Sequence, residues 1–347
     1  RKAYVDGLVG FRQANMYHVA TNGSDATGDG SFLNPWLTIQ NAINLLEAIP
    51  VSDQTQAVIN LAPGHYTENL TFTTGYIALI SPYNINDVNE GCEITGDITI
   101  NITSGTDDLF NKQVILQGVQ VTGTITDSST RQHTLIIQDC YLFGANRCLW
   151  QNSSVNCRTR IYNCEVNDST ATGSTNPQIQ ISRGDCYMER LDCSYANNGS
   201  VLLVDVSGAV YASYCNFASS TTLQAPLLPG QVGVRVCWVT SSRASTFGNC
   251  VFQFTSTNPK TNLANFWPFR YDSPTLGTAA GAGVSLGFCS FAPAGMNTGQ
   301  SVAGSNGTGS GVNSALIAFG ACLAAPGGAS TVAGTVGVNK IAFTAVA

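Results

Sequence analysis

Charge is scarce in this sequence. Of 347 residues, 15 are Lys or Arg and 21 are Asp or Glu, for a net charge of −6. No Lys/Arg run occurs, which argues against a nucleic-acid surface. Glu and Lys, the residues of solvated helices, are too few for a helix-rich globule. Long apolar runs are also missing, so no segment reads as a membrane insertion. The opening Arg1-Lys2-Ala3-Tyr4 is not a signal peptide and reads as a cut inside a longer polypeptide. The histidines are limited to His18, His65 and His133, scattered along the chain, and no C-x-x-C spacing occurs. Neither a metal site nor a cofactor is expected from that set.

What stands in place of charge is Gly, Asn, Ser and Thr, with an apolar fraction of 44%. That fraction can build a core, and the polar part favours turns and strands. Repetition then sets the fold. Ile136-Ile137-Gln138-Asp139-Cys140-Tyr141-Leu142 returns as Arg160-Ile161-Tyr162-Asn163-Cys164-Glu165-Val166 and, with variation, around Cys193, Cys215, Cys250, Cys289 and Cys322. Val119 holds the same slot in an earlier copy. Successive copies lie 21, 24, 29, 22, 35, 39 and 33 residues apart. A floor near 21 residues with variable insertions marks a solenoid whose loops absorb the excess. The segments lack the 3.6-residue period of helix pairs. The reading is an all-β, right-handed, single-stranded parallel β-helix of roughly ten coils, about 50 Å long at the strand spacing. Positions 119, 140, 164, 193, 215, 250, 289 and 322 form an internal ladder, beside an aromatic ladder of Tyr195, Phe217, Phe252 and Phe291. The cysteines track the coil period, so they read as buried, reduced thiols acting as small hydrophobes.

The N-terminal part reads as strand, polar turn, amphipathic helix, strand and turn. Leu37, Ile39, Ala42, Ile43, Leu45 and Leu46 fit one helical face near residues 36–48. Together with Gly23-Ser24-Asp25…Gly28-Asp29-Gly30-Ser31 and Pro63-Gly64-His65-Tyr66-Thr67-Glu68, this stretch closely resembles the opening of pectin-lyase-like β-helix proteins. The resemblance covers residues 17–72 and implies a capping helix over the open end of the stack. The family holds polysaccharide lyases, glycoside hydrolases, pectin esterases and viral tailspikes, so the fold does not carry the function. The esterase and hydrolase signatures are missing. Asp107-Asp108 is the only Asp-Asp pair and reads as a turn.

The carboxylates that chemistry on a sugar would need are sought at Asp168, Asp185, Glu189 and Asp192; the plain alternative is that they are solvated surface charges. Sugar-stacking candidates are Trp150, Tyr162, Trp238, Trp267 and Tyr271, each of which core or loop packing also explains. Arg183-Gly184-Asp185 matches the adhesion tripeptide, and Asp25 with Asp29 has the makings of a calcium turn or of a plain one. Lys2-Ala3-Tyr4-Val5-Asp6 resembles a segment of phage and large-virus fibre proteins, placed where a stalk joins the next domain. That resemblance implies a virion-surface spike folded in the host cytoplasm: a homotrimer, joined to other virion proteins through its N-terminus and attached to a host-surface glycan. Residues 1–14 are then the end of a stalk, 15–325 the β-helix, and 326–347 a cap or inter-subunit tail. The competing expectation is a tailspike depolymerase, a lyase or glycoside hydrolase.

Overall fold

The computed structural model describes residues 15–49, 56–82, 91–105, 107–108, 112–144, 147–168, 176–195, 200–221, 235–256, 267–271, 283–294, 301–305, 316–320, 323–324 and 331–333. The stalk residues 1–14, most of the tail and Cys322 lie outside the described residues. Among the described residues, no helix is long and apolar enough to cross a membrane.

Each coil passes through three strands. Ala57–Leu61, Gly64–Thr67 and Leu70–Phe72 make one coil, and Ile77–Ile80, Cys92–Thr95 and Ile98–Ile100 make the next. Every strand pairs in parallel with its counterpart one coil away. Among the described residues the second face stacks ten strands, which at the strand spacing span about 43 Å from first to last. Alternation sets the faces: in Thr134–Gln138 and Arg158–Tyr162, Leu135, Ile137, Thr159 and Ile161 point in, while Ile136, Gln138, Arg158, Arg160 and Tyr162 point out. Ile179–Glu189 and Leu202–Ser213 run from the third face straight into the first face of the following coil. The pairing between them slips once, between Ile181 and Arg183.

One corner marks the register. Gly118, Asp139, Asn163, Arg190, Tyr214, Asn249 and Phe288 all take the left-handed conformation, with φ between 50° and 69°. The residue after each points into the core: Val119, Cys140, Cys164, Leu191, Cys215, Cys250 and Cys289. This corrects the ladder read from the cysteines. Asp192 N donates to Cys164 O (2.9 Å) and Asn216 N donates to Leu191 O (2.8 Å), so Leu191 and not Cys193 fills that column. Cys193 sits two residues further on, between Val166 and Phe217 in the neighbouring column, which continues through Phe252 and Phe291. Tyr195 pairs with Asp168 and Ser219 and stands outside the aromatic column. A two-residue slip keeps a side chain on the same face, so hydropathy alone cannot detect it. The eleven described cysteines are buried thiols outside any disulfide. Burial pushes the Cys92 thiol up to about 12 and raises Cys186 as well.

The helix is Ile39–Glu47, with Thr38 as its N-cap, and it buries Ile39, Ala42, Ile43 and Leu46 on the first coil. Leu37 and Leu45 face solvent, so the apolar stripe is narrower than the sequence implies. The long polar turn holds the helix start. Asp25 Oδ1 accepts from Leu37 N (2.8 Å) and Thr38 N (3.0 Å), and Oδ2 accepts from Thr38 Oγ1 (2.7 Å). The G-x-Y-x-E turn completes the cap: Glu68 accepts from Ile39 N and Gln40 N, both at 2.9 Å. Tyr66 donates its hydroxyl hydrogen to Ala62 O at 2.8 Å. Gly64 takes φ +149°, and a Cβ there would lie 2.7 Å from Thr21 Cγ2.

Candidate functional site

The outer side of the first face carries a groove. Two rows of side chains build it, two residues apart on each strand. One row runs Ile136, Arg160, Tyr187, Tyr211, Thr246 and Ser285. The other runs Gln138, Tyr162, Glu189, Ser213, Gly248 and Gly287. The first row is bulky where the second turns small, and the difference in height leaves a concavity of about 350 Å³. Tyr162, Tyr187, Glu189, Tyr211, Ser213 and Thr246 line it. The Tyr187 and Tyr211 rings stack at 5.0 Å with 18° between their planes, and Tyr211 is 37% exposed. The Arg158 guanidinium lies 5.9 Å from the Tyr187 ring. The groove therefore offers two stacked tyrosine rings, one carboxylate, and the hydroxyls of Ser213 and Thr246 beside those of the tyrosines, groups that can meet a sugar by ring contact and hydrogen bonding.

The candidate carboxylates do not converge. Asp185 and Glu189 share the outer side of one strand, but four residues of strand rise separate them by about 13 Å, wider than the 5–10 Å or so that paired glycosidase carboxyls span. Asp185 is held by Arg243 at 2.5 Å. Asp192 lies round the left-handed corner on the second face, in register with Glu165, and accepts from Asn216 Nδ2 at 2.9 Å. Asp168 is on the second face too, opposite Tyr195. The adhesion tripeptide is tied down in a strand: Gly184 is buried, and the Arg183 guanidinium donates to Ser154 O. Asp107 Oδ1 accepts from Gln132 N at 2.9 Å.

Of Trp150, Tyr162 and Trp238, Tyr162 alone lines the groove. Trp150 and Trp238 belong to one outer row of the third face, with Gln180 and Leu203 between them. The Arg147 guanidinium covers the Trp150 ring at 4.6 Å. Trp267 and Tyr271 lie on Trp267–Tyr271, opposite Arg235 and Val239.

The sequence had left His133 without a partner. In the structure it is fully buried between Asp127 and Cys157. Its Nε2 lies 3.3 Å from Asp127 Oδ2. Its Nδ1 lies 3.1 Å from Arg131 O and 3.3 Å from Cys157 Sγ. The Asp127 contact is an ion pair without hydrogen-bond alignment, and Asp127 Oδ2 and His133 Nε2 have no hydrogen-bond partner. Burial by itself would lower the His133 pKa, but the Asp127 carboxylate, with help from Cys157, outweighs it and raises it to about 10.

No family model matches this chain, and no curated protein matches it in sequence. Among solved structures, the pectate lyase Pel9A is similar with a TM-score of 0.51 at 12% identity, over 88% of this chain and 82% of the lyase. A Geobacillus virus E2 protein, ORF18, is similar at 14% identity and TM-score 0.49, over 96% of this chain and 64% of its own. A pectin methylesterase in complex with a hexasaccharide gives TM-score 0.38 at 11% identity, over 95% of this chain and 92% of the esterase. The stacked coils and the likeness to the lyase identify the fold, and the fold alone: the chain is a right-handed parallel β-helix of the pectate-lyase kind.

Proposed function

We propose that this protein is a virion-surface spike that holds a host-surface glycan in the tyrosine groove without cleaving it. The observation that carries the reading is the Tyr187–Tyr211 stack at 5.0 Å in the lining of the groove, with Glu189, Ser213 and Thr246 around it. Aromatic faces bind the apolar side of a pyranose ring, and the polar groups select its hydroxyls. Glu189 is the single carboxylate in the lining, which suits binding better than two-carboxylate hydrolysis. The virion assignment rests on the Lys2-Ala3-Tyr4-Val5-Asp6 segment and on the low-charge composition. The homotrimer and the N-terminal joint to other virion proteins belong to the same reading.

The second reading is a tailspike depolymerase with Glu189 as its base, favoured by the position of Glu189 beside the tyrosine stack. Incubation with host-surface polysaccharide separates the two. New reducing ends or new double-bond absorbance, abolished by Glu189→Gln, would sink the non-catalytic reading. Retention of the glycan at full length supports it. Light scattering checks the trimer, and a monomeric mass would count against it.

A further inference from the structure

The corner between the third and first faces holds polar groups where neighbouring coils hold isoleucine. Asp127 pairs in register with Ile100 on one side and Gln151 on the other, and Gln151 pairs with Ile181. Beside them, His133 follows the buried Lys112 in the stack, and Cys157 follows His133. Asp127 Oδ2, His133 Nε2 and Gln151 Oε1 are all buried and all lack a hydrogen-bond partner. Buried polar atoms left in this state are costly unless something joins them. Among the described residues this is the one group of three whose donor atoms, a carboxylate oxygen, an imidazole nitrogen and a sulfur, lie within 4.8 Å of one another.

We propose that Asp127, His133 and Cys157 form a buried zinc site, to which Gln151, in register with Asp127, turns its unpaired Oε1 as a fourth donor. A tetrahedral zinc with ligands at about 2.0–2.3 Å has ligand-to-ligand edges of about 3.3–3.8 Å. The Asp127–His133 and His133–Cys157 separations are each 3.3 Å, to opposite nitrogens of the ring. A turn of the imidazole about its Cβ–Cγ bond brings one nitrogen toward both partners. The longest separation, at most 4.8 Å, then closes by about 1 Å through side-chain torsion. The donor set selects the ion. Calcium and magnesium take oxygen ligands, whereas a thiolate with imidazole and carboxylate suits zinc. Gln151 is already anchored at the site, since its Nε2 donates to Cys157 O at 3.2 Å. The thiol proton and the second imidazole proton of His133 both leave to solvent as the metal binds. An enclosed site of this kind fills during folding and pins three successive coils together.

The test uses the full chain. Protein purified from zinc-supplemented medium is expected to carry one zinc through gel filtration. Metal-stripped protein, refolded with cobalt, is expected to show sulfur-to-cobalt charge-transfer absorption in the near ultraviolet. Cys157→Ser removes that band, and His133→Gln weakens cobalt binding by at least about tenfold, with the circular dichroism of the stack retained. If the variants fail to fold, the wild-type cobalt spectrum decides alone. A folded wild-type chain that carries no zinc and gives no sulfur–cobalt band overturns the proposal, and so does a preference for calcium over zinc.

Discussion

Phe252 and Phe288 are alike in sequence, since each lies within two residues of a core cysteine. They differ wholly in the stack. Phe252 is fully buried; its ring stacks on Phe217 at 5.5 Å and meets Phe247 and Phe269 edge-on at 5.7 and 5.4 Å. Phe288 sits at the left-handed corner, φ +53°, and is 70% exposed. Phe252→Ala opens a cavity among three other rings that belong to rigid strands and collapse little. Large-to-small changes of this kind cost about 3–5 kcal/mol, and the lost ring pairs place this one near 5. Phe288→Ala removes little buried area and is expected within about 0.5 kcal/mol of wild type. Phe288→Gly relieves the left-handed strain and is expected to stabilise by about 1 kcal/mol. Urea unfolding followed by tryptophan fluorescence reads all three. Equal losses for the two alanine variants, or destabilisation by Phe288→Gly, would refute the assigned register.

Gly184→Ala is expected to cost more than about 2 kcal/mol, because φ is +85° and the new Cβ would lie 2.1 Å from Cys157 O; thermal unfolding checks it. Glu68→Ala strips the carboxylate from Ile39 N and Gln40 N and is expected to cost about 1–2 kcal/mol, read as earlier loss of helix by circular dichroism. Asp25 adds a pH dependence. Burial pulls its pKa up, but the hydrogen bonds from Thr38, Leu37 and Asn41 outweigh that and hold the carboxyl below its ordinary value. A depressed folded pKa means stability that is present above the unfolded value, about 4, and is lost as pH falls through the folded one. The gap between wild type and Asp25→Ala, about 0.5–1 kcal/mol for an exposed cap, is therefore expected to shrink as urea midpoints are taken from about pH 5 to about pH 2.

The coil period is legible because core side chains repeat with it, and the N-terminal cap is legible because its turn and helix need particular residues. Asp25 and Glu68 illustrate the second point: each carboxylate accepts from two backbone N–H groups at the helix start. Register was harder. Cysteine spacing points to Cys193, while the left-handed turn at Arg190 carries the alignment. Counted from those turns, the coils starting at Asn163, Arg190 and Tyr214 are 27 and 24 residues apart. The same count exposes the groove, since Arg160, Tyr187 and Tyr211 each stand three residues before a turn residue. Asp127, His133 and Cys157 escape any such count. They lie on three different segments, and only folding shows that their side chains meet at one corner.

The groove is tested most directly by titrating host-surface polysaccharide fragments into wild type and a Tyr187→Ala/Tyr211→Ala double variant by calorimetry. Each stacked ring at a sugar is worth about 1 kcal/mol, so the double variant is expected to bind at least tenfold more weakly while wild type leaves the fragments uncut. Equal affinity in the two proteins, or shortened fragments after incubation with wild type, would contradict the account.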